Sequence, residues 1–205
     1  MSSDPSPFPS AQERHRAREA KREAVLRAAV QTFNERGFHA TSLDEVAGKL
    51  GISKPTIYHY LGNKDQVLLE CVTIGLTQLR EAAEASRLLP GTGADRLAAF
   101  LVHYAEIGMD DFGRCVIRTT DEALAPDSRK RFRALKREID TALRGLIEEA
   151  IADGSIAPCD PKMLAFALAG ALSWPARWHV PDGSQPADLI ARQLVALLAS
   201  GFLPR

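Results

Sequence analysis

Between Gly51 and Lys64 the sequence gathers Ser53, Lys54, Pro55, Thr56, Tyr58, His59, Tyr60 and Lys64, with no acid from Ile52 to Lys64. Hydroxyl, imidazole and ammonium groups donate hydrogen bonds to phosphate oxygens and to base edges. A lysine can donate to guanine O6 and N7, a type of contact that discriminates between bases by about 1–3 kcal/mol. A carboxylate in the same place would repel a phosphate backbone. The chemistry open to this stretch is therefore nucleic-acid recognition. The alternative is an ordinary helical hairpin whose tyrosines cover a core.

Two short helices are needed to present these groups, and the sequence supplies their punctuation. Ser42 followed by Glu45 is a capping box that starts a helix. Leu43, Val46, Ala47 and Leu50 then form one apolar face. Gly51 stands where a left-handed residue stops that helix. Ser53 can cap the next one, and Pro55 falls in its first turn, where a missing N–H costs nothing. Small Ala47 allows a close crossing, and Ile57 fills the angle between the two helices. This is the steric requirement of a helix-turn-helix, with the motif at about 43–62.

The stretch Gly51-Ile-Ser-Lys-Pro-Thr-Ile-Tyr-His-Tyr60, followed by Asn63-Lys-Asp65, resembles the TetR family of bacterial transcriptional regulators, as do Phe33-Asn-Glu-Arg-Gly-Phe38 and Thr41. The resemblance is strong over residues 18–75 and looser beyond. It implies that Thr41, Ser42, Tyr58, Tyr60 and Lys64 hold phosphates, and that Lys54, Pro55, Thr56 and His59 lie near base edges. Many members carry glycine where Pro55 stands, which puts the local backbone approach in doubt. Tyr58 could also be partly core, and Ser53 only a cap.

Length and charge bound the rest. A chain of 205 residues accommodates a small domain and a larger one. Net charge is zero, which excludes a polybasic nucleic-acid coat. The charge is nonetheless uneven. Residues 11–64 hold ten basic and six acidic side chains, an electrostatic footprint at one end of the chain. Cys71, Cys115 and Cys159 are odd in number and widely spaced, which disfavours a disulfide framework or zinc site and suits the cytoplasm. The longest apolar run, residues 163–174, is too short to span a bilayer, so no membrane partner is expected.

The expected fold is all-α: an N-terminal three-helix unit joined by a long helix to a C-terminal helical domain. Residues 1–17 read as a disordered basic leader, although the Arg-rich stretch 12–21 could instead extend the first helix; 18–65 read as the helix-turn-helix domain and 66–205 as an effector-binding and dimerisation domain. Helices are expected at about 18–36, 64–87, 94–108, 112–123, 126–152, 160–174 and 186–200, besides the two of the motif. The charged outer face of the 126–152 helix reads as solvated surface. The 163–174 segment is apolar almost all round and must be covered on more than one side.

That segment makes sense of the dimer the resemblance implies, in which the last two helices pair with their symmetry mates. Leu168, Leu172, Leu194, Leu197 and Leu198 are the candidate dimer contacts; a fully buried helix in a monomer is the alternative. A dimer predicts a palindromic operator in double-stranded DNA. The resemblance also implies a small-molecule effector in the larger domain. Candidate lining groups are Phe100, His103, Tyr104, Met109, Arg118, Phe166, Trp174 and Trp178. His103 and Arg118 could orient a polar group, or form ordinary ion pairs. Ala171-Leu-Ser-Trp174 with Trp178 and Pro181-Asp-Gly183 resembles a tail of members that respond to acyl-CoA. No cofactor, catalytic residue or metal site is expected, because the scattered histidines form no cluster and no nucleotide or hydrolase motif occurs. The expected function is that of a dimeric ligand-responsive repressor; the alternative is a small-molecule-binding protein with a vestigial DNA-binding unit.

Overall fold

A computed structural model describes residues 10–181 and 183–200 of the chain. Among them are nine α-helices and no strand. They are α1 (Ala11–Arg36), α2 (Leu43–Leu50), α3 (Lys54–Leu61), α4 (Lys64–Arg87), α5 (Gly93–Met109), α6 (Asp111–Arg118), α7 (Pro126–Ala152), α8 (Pro161–Ser173) and α9 (Ala187–Ser200). Short 3₁₀ turns follow α6 and α8, at Asp121–Ala123 and Trp174–Arg177. The contacts divide the chain into two units that meet at Val67 and Leu68.

In the first unit α1, α2 and α3 pack on one another around Leu26, Val30, Phe33, Val46, Ala47 and Ile57. The expected leader at 1–17 needs correction. Residues 1–9 lie outside the described residues, whereas 11–17 are helical, because Ser10 and Glu13 form a reciprocal capping box that starts α1 there. Gly37, at φ 85°, ends α1, and Phe38 turns back edge-on to Phe33 at 5.3 Å. Gly51, at φ 63°, separates α2 from α3 in the left-handed conformation.

In the second unit α5 is central, packing on α6, α7, α8 and α9. Leu97, Phe100, Leu101, Ala105 and Met109 recur along its buried side. They share a core with Leu143, Leu146 and Ile147 of α7, Leu168 and Leu172 of α8, and Ile190 and Val195 of α9. The segment expected as one helix at 112–123 instead ends at Arg118. There the Thr119 hydroxyl donates to the Cys115 carbonyl at 2.7 Å, and extended backbone at Thr119 follows. Pro175 stops α8 as expected and leaves a 3₁₀ turn.

The start of α5 depends on a close approach. Gly93 N–H donates to the Asp153 carboxylate at 2.5 Å and Ala94 N–H to the Ser155 hydroxyl at 2.8 Å, so the loop after α7 caps α5. A Cβ on Gly93 would lie 2.7 Å from Ala150 N and 2.9 Å from Ala150 Cβ. The Gly93→Ala variant should therefore lose about 1–3 kcal/mol of stability to overpacking against α7. Urea unfolding with an unchanged m-value is the check.

Candidate nucleic-acid interface and effector cavity

The three-helix unit turns the α3 side chains outward on an apolar underside. Ile57 and Leu61 are buried. Lys54, Pro55 and His59 are exposed, Tyr58 is 48 % exposed, and Thr56 and Tyr60 are half-buried. Tyr58 thus stands outside the core. Ser53 caps α3, accepting from Thr56 N–H at 3.4 Å and sharing a hydrogen bond with the Thr56 hydroxyl at 2.8 Å. Ser42 likewise caps α2 through Glu45 N–H and remains exposed.

Three expected contact residues already have partners inside the unit. Lys54 lies 2.5 Å from the Asp44 carboxylate, and this hydrogen bond with its charge holds the ammonium above the usual lysine range. Reaching a base edge therefore means exchanging Asp44 for a guanine. Lys64 sits over the Phe38 ring at 4.3 Å and donates to the His39 carbonyl at 3.4 Å; partial burial pulls its pKa down.

Thr41 corrects the expectation more fully. It is only 3 % exposed, and its hydroxyl donates to the Gly37 carbonyl at 3.0 Å with the Thr32 carbonyl at 3.4 Å. Its hydroxyl thus braces the α1–α2 loop against the end of α1 and is spent on those carbonyls.

The second unit holds a cavity of about 400 Å³, within the range of small-molecule sites. Its wall comes from α4 (Leu76, Leu79), α6 (Val116, Ile117), α7 (Ile139, Leu143) and α8 (Ala165, Ala169), among others. The Tyr104 hydroxyl lies in this lining, 3.3 Å from the Ser173 hydroxyl, and burial raises its pKa. Lys136, Asp140 and Phe166 line the α7 side.

Of the eight candidate lining residues, only Tyr104 and Phe166 reach this cavity. Phe100 and Met109 are spent on the core, where Phe100 meets Tyr104 edge-on at 6.0 Å. His103 points outward and pairs with Glu106 at 3.1 Å. Arg118 donates to the Ala176 carbonyl at 3.3 Å, tying α6 to the 3₁₀ turn after α8. Trp174 and Trp178 are exposed, and in the Pro181-Asp-Gly183 turn Asp182 lies outside the described residues. The sequence reading missed Ser173, Lys136 and Asp140. A signal was present for the last two: Lys136, Ile139, Asp140 and Leu143 follow an i, i+3, i+4, i+7 line.

The dimer candidates also divide. Leu168 and Leu172 face the core, because α8 needs them against α5 and α7, and cannot meet another subunit. Leu194 is half-buried against the same core, while Leu197 and Leu198 are exposed on α9. The cysteines are all unpaired, and no metal-binding cluster occurs among the described residues. Among the described residues no helix is long and apolar enough to cross a membrane. The buried Thr41 generates a direct test: Thr41→Val should cost the N-terminal unit about 1 kcal/mol of stability in thermal unfolding, with DNA affinity unchanged well below the transition. A phosphate-binding threonine would give the opposite pattern.

Comparison with known proteins agrees with this geometry. Residues 25–71 match "Bacterial regulatory proteins, tetR family", and residues 90–202 match "Tetracyclin repressor-like, C-terminal domain". The HTH-type transcriptional repressor KstR2 of Rhodococcus jostii is 28 % identical over 189 residues, covering 89 % of this chain and 91 % of the relative. The crystal structure of PfmR, a TetR family regulator of Thermus thermophilus, superposes with a TM-score of 0.79 at 27 % identity, over 88 % of this chain and 99 % of that one. AibR, solved in complex with isovaleryl coenzyme A and operator DNA, shares the fold at a TM-score of 0.75 and 24 % identity, over 86 % of this chain and 97 % of that one. A helix-turn-helix presenting Lys54, Tyr58 and His59, and matches to both of the family's domains across most of the chain, lead to one conclusion: the protein belongs to the TetR family and is a ligand-responsive, DNA-binding transcriptional regulator.

Proposed function

We propose that this protein is a cytoplasmic repressor that binds a palindromic operator as a homodimer and is released by a small, largely apolar effector held in the α4–α8 cavity. The observation that carries the dimer is the outer face of α8 and α9. Met163 and Trp174 are each 62 % exposed and Leu197 is 59 % exposed. Ala167, Gly170, Leu189 and Ala196 are exposed beside them along the two helices. Apolar surface of this extent on adjoining helices is characteristic of an interface. In a two-fold dimer the same face meets itself, each small residue leaving room for a large one opposite.

Release follows from differential affinity. An effector shifts the protein away from DNA only if it binds the DNA-incompetent arrangement more tightly. Leu76 and Leu79 of the cavity wall belong to α4, the helix that starts at Lys64 directly after the α3 turn. An effector that moves this wall acts on the helix that leads back to the recognition unit.

Selection from random duplex DNA should recover a palindrome whose half-site centres lie about one helical turn, or a small multiple of it, apart. Against that operator, Lys54→Ala and Tyr58→Ala should each weaken binding by about tenfold or more while leaving helicity unchanged. Undiminished binding by both variants would refute the site assignment. For the dimer, Met163→Glu combined with Leu197→Glu places charges on the shared face. Sedimentation should show the dissociation constant rising by at least about a hundredfold with helical content retained. A variant that remains dimeric at low micromolar concentration would move the interface elsewhere.

A further inference from the structure

The cavity continues onto the surface of α7. Lys136, Asp140 and Phe166 line both the cavity and a second, open depression of about 380 Å³, completed by Arg133, Arg137 and Arg144. Its five charged residues follow i, i+3, i+4, i+7 and i+11 spacing, which places them on one face of the helix. Asp140 is held by Arg144 at 2.5 Å. Asp121 approaches from the preceding 3₁₀ turn and is shared by Arg133 at 2.5 Å and Lys136 at 3.1 Å. Two carboxylates thus face four cations, and the depression keeps two positive charges.

The surplus runs against the rest of the chain, where residues outside 11–64 comprise sixteen basic and twenty acidic side chains. A merely solvated helix face has no need to concentrate cations in a depression that shares its wall with an apolar cavity. Phe166 stands at the junction with the Arg144 guanidinium 5.6 Å and the Lys162 ammonium 5.8 Å from its ring centroid. It is more than half exposed, although its ring forms part of both walls.

We propose that this depression is a headgroup subsite, and that the effector is an amphiphile with an apolar chain in the cavity and a multiply anionic, phosphorylated head on Arg133, Lys136, Arg137 and Arg144. The inference rests on the reading of the cavity as the effector site. A single carboxylate would leave part of the surplus charge unmatched, whereas a phosphate dianion balances it and accepts from forked guanidinium donors. Inside the cavity the Tyr104–Ser173 hydroxyl pair offers the chain one polar anchor, suited to a carbonyl oxygen.

Calorimetric titration of the intact protein separates the two readings, using 1-octanol, octyl phosphate and octanoyl coenzyme A as probes. Wild type should bind both phosphorylated probes at least about tenfold more tightly than octanol, with an advantage that shrinks as salt rises. Arg133→Ala combined with Arg137→Ala, at two exposed helical positions that alanine suits, should erase that advantage and leave octanol binding unchanged. Ala169→Trp, which fills the cavity, should abolish binding of all three probes with helicity retained. Tighter binding of octanoyl coenzyme A than of octyl phosphate supports a nucleotide-bearing head; equal binding supports a simple phosphate. Wild type that binds octanol as tightly as the phosphorylated probes, or that binds none of the three, overturns the headgroup subsite. So does a double variant that keeps the full phosphate advantage. Wild-type affinities in Ala169→Trp overturn instead the reading of the cavity on which the subsite rests.

Discussion

Burial around α5 is the constraint from which the larger unit follows. Its apolar residues are shared among α7, α8 and α9, so those helices are positioned by the same side chains, and α6 packs on α5 as well. Phe100 is completely buried, and next to it Tyr104 carries an aromatic ring into the core while its hydroxyl reaches the cavity wall. The cavity beside this core is lined in part by small groups, Gly108, Gly113, Ala165 and Ala169. Elsewhere the packing is tight enough that Gly93 has no space for a Cβ.

The polar groups of the recognition unit are in part engaged within it. Thr41 and Lys64 spend their donors on the α1–α2 loop, and Lys54 is held by Asp44. The buried Thr41 hydroxyl finds its acceptors in the Gly37 and Thr32 carbonyls. These contacts tie the loop before α2 to the end of α1 and the start of α4, the elements that flank the helix-turn-helix.

Charge on α7 illustrates how the same residues carry two meanings. Along the sequence Arg133, Lys136, Arg137, Asp140 and Arg144 are a polar helix face of the ordinary kind. In space they line an open depression that shares Lys136, Asp140 and Phe166, the last brought in from α8, with the apolar cavity. Neither the depression nor its aromatic wall exists on α7 alone.

The amino-acid order by itself determined what is local. Hydrophobic periodicity, the Ser42–Glu45 and Ser53 caps, and glycines at 37 and 51 mark the end of α1, the span of α2 and the start of α3 within a few residues, because caps and left-handed turns are decided by the residues that form them. The same order identified the outward set on α3, since a helix fixes which of its side chains share a face. Only the tertiary structure decided what depends on distant segments. It turned Leu168 and Leu172 inward and left Met163 and Trp174 outside, a choice that an apolar helix with no polar face cannot announce. It buried Thr41, sent His103 to solvent, and met Tyr104 with Ser173, which lies 69 residues away. Periodicity states that a face is apolar; which neighbour covers it, and whether a gap remains there, is set by how whole helices pack.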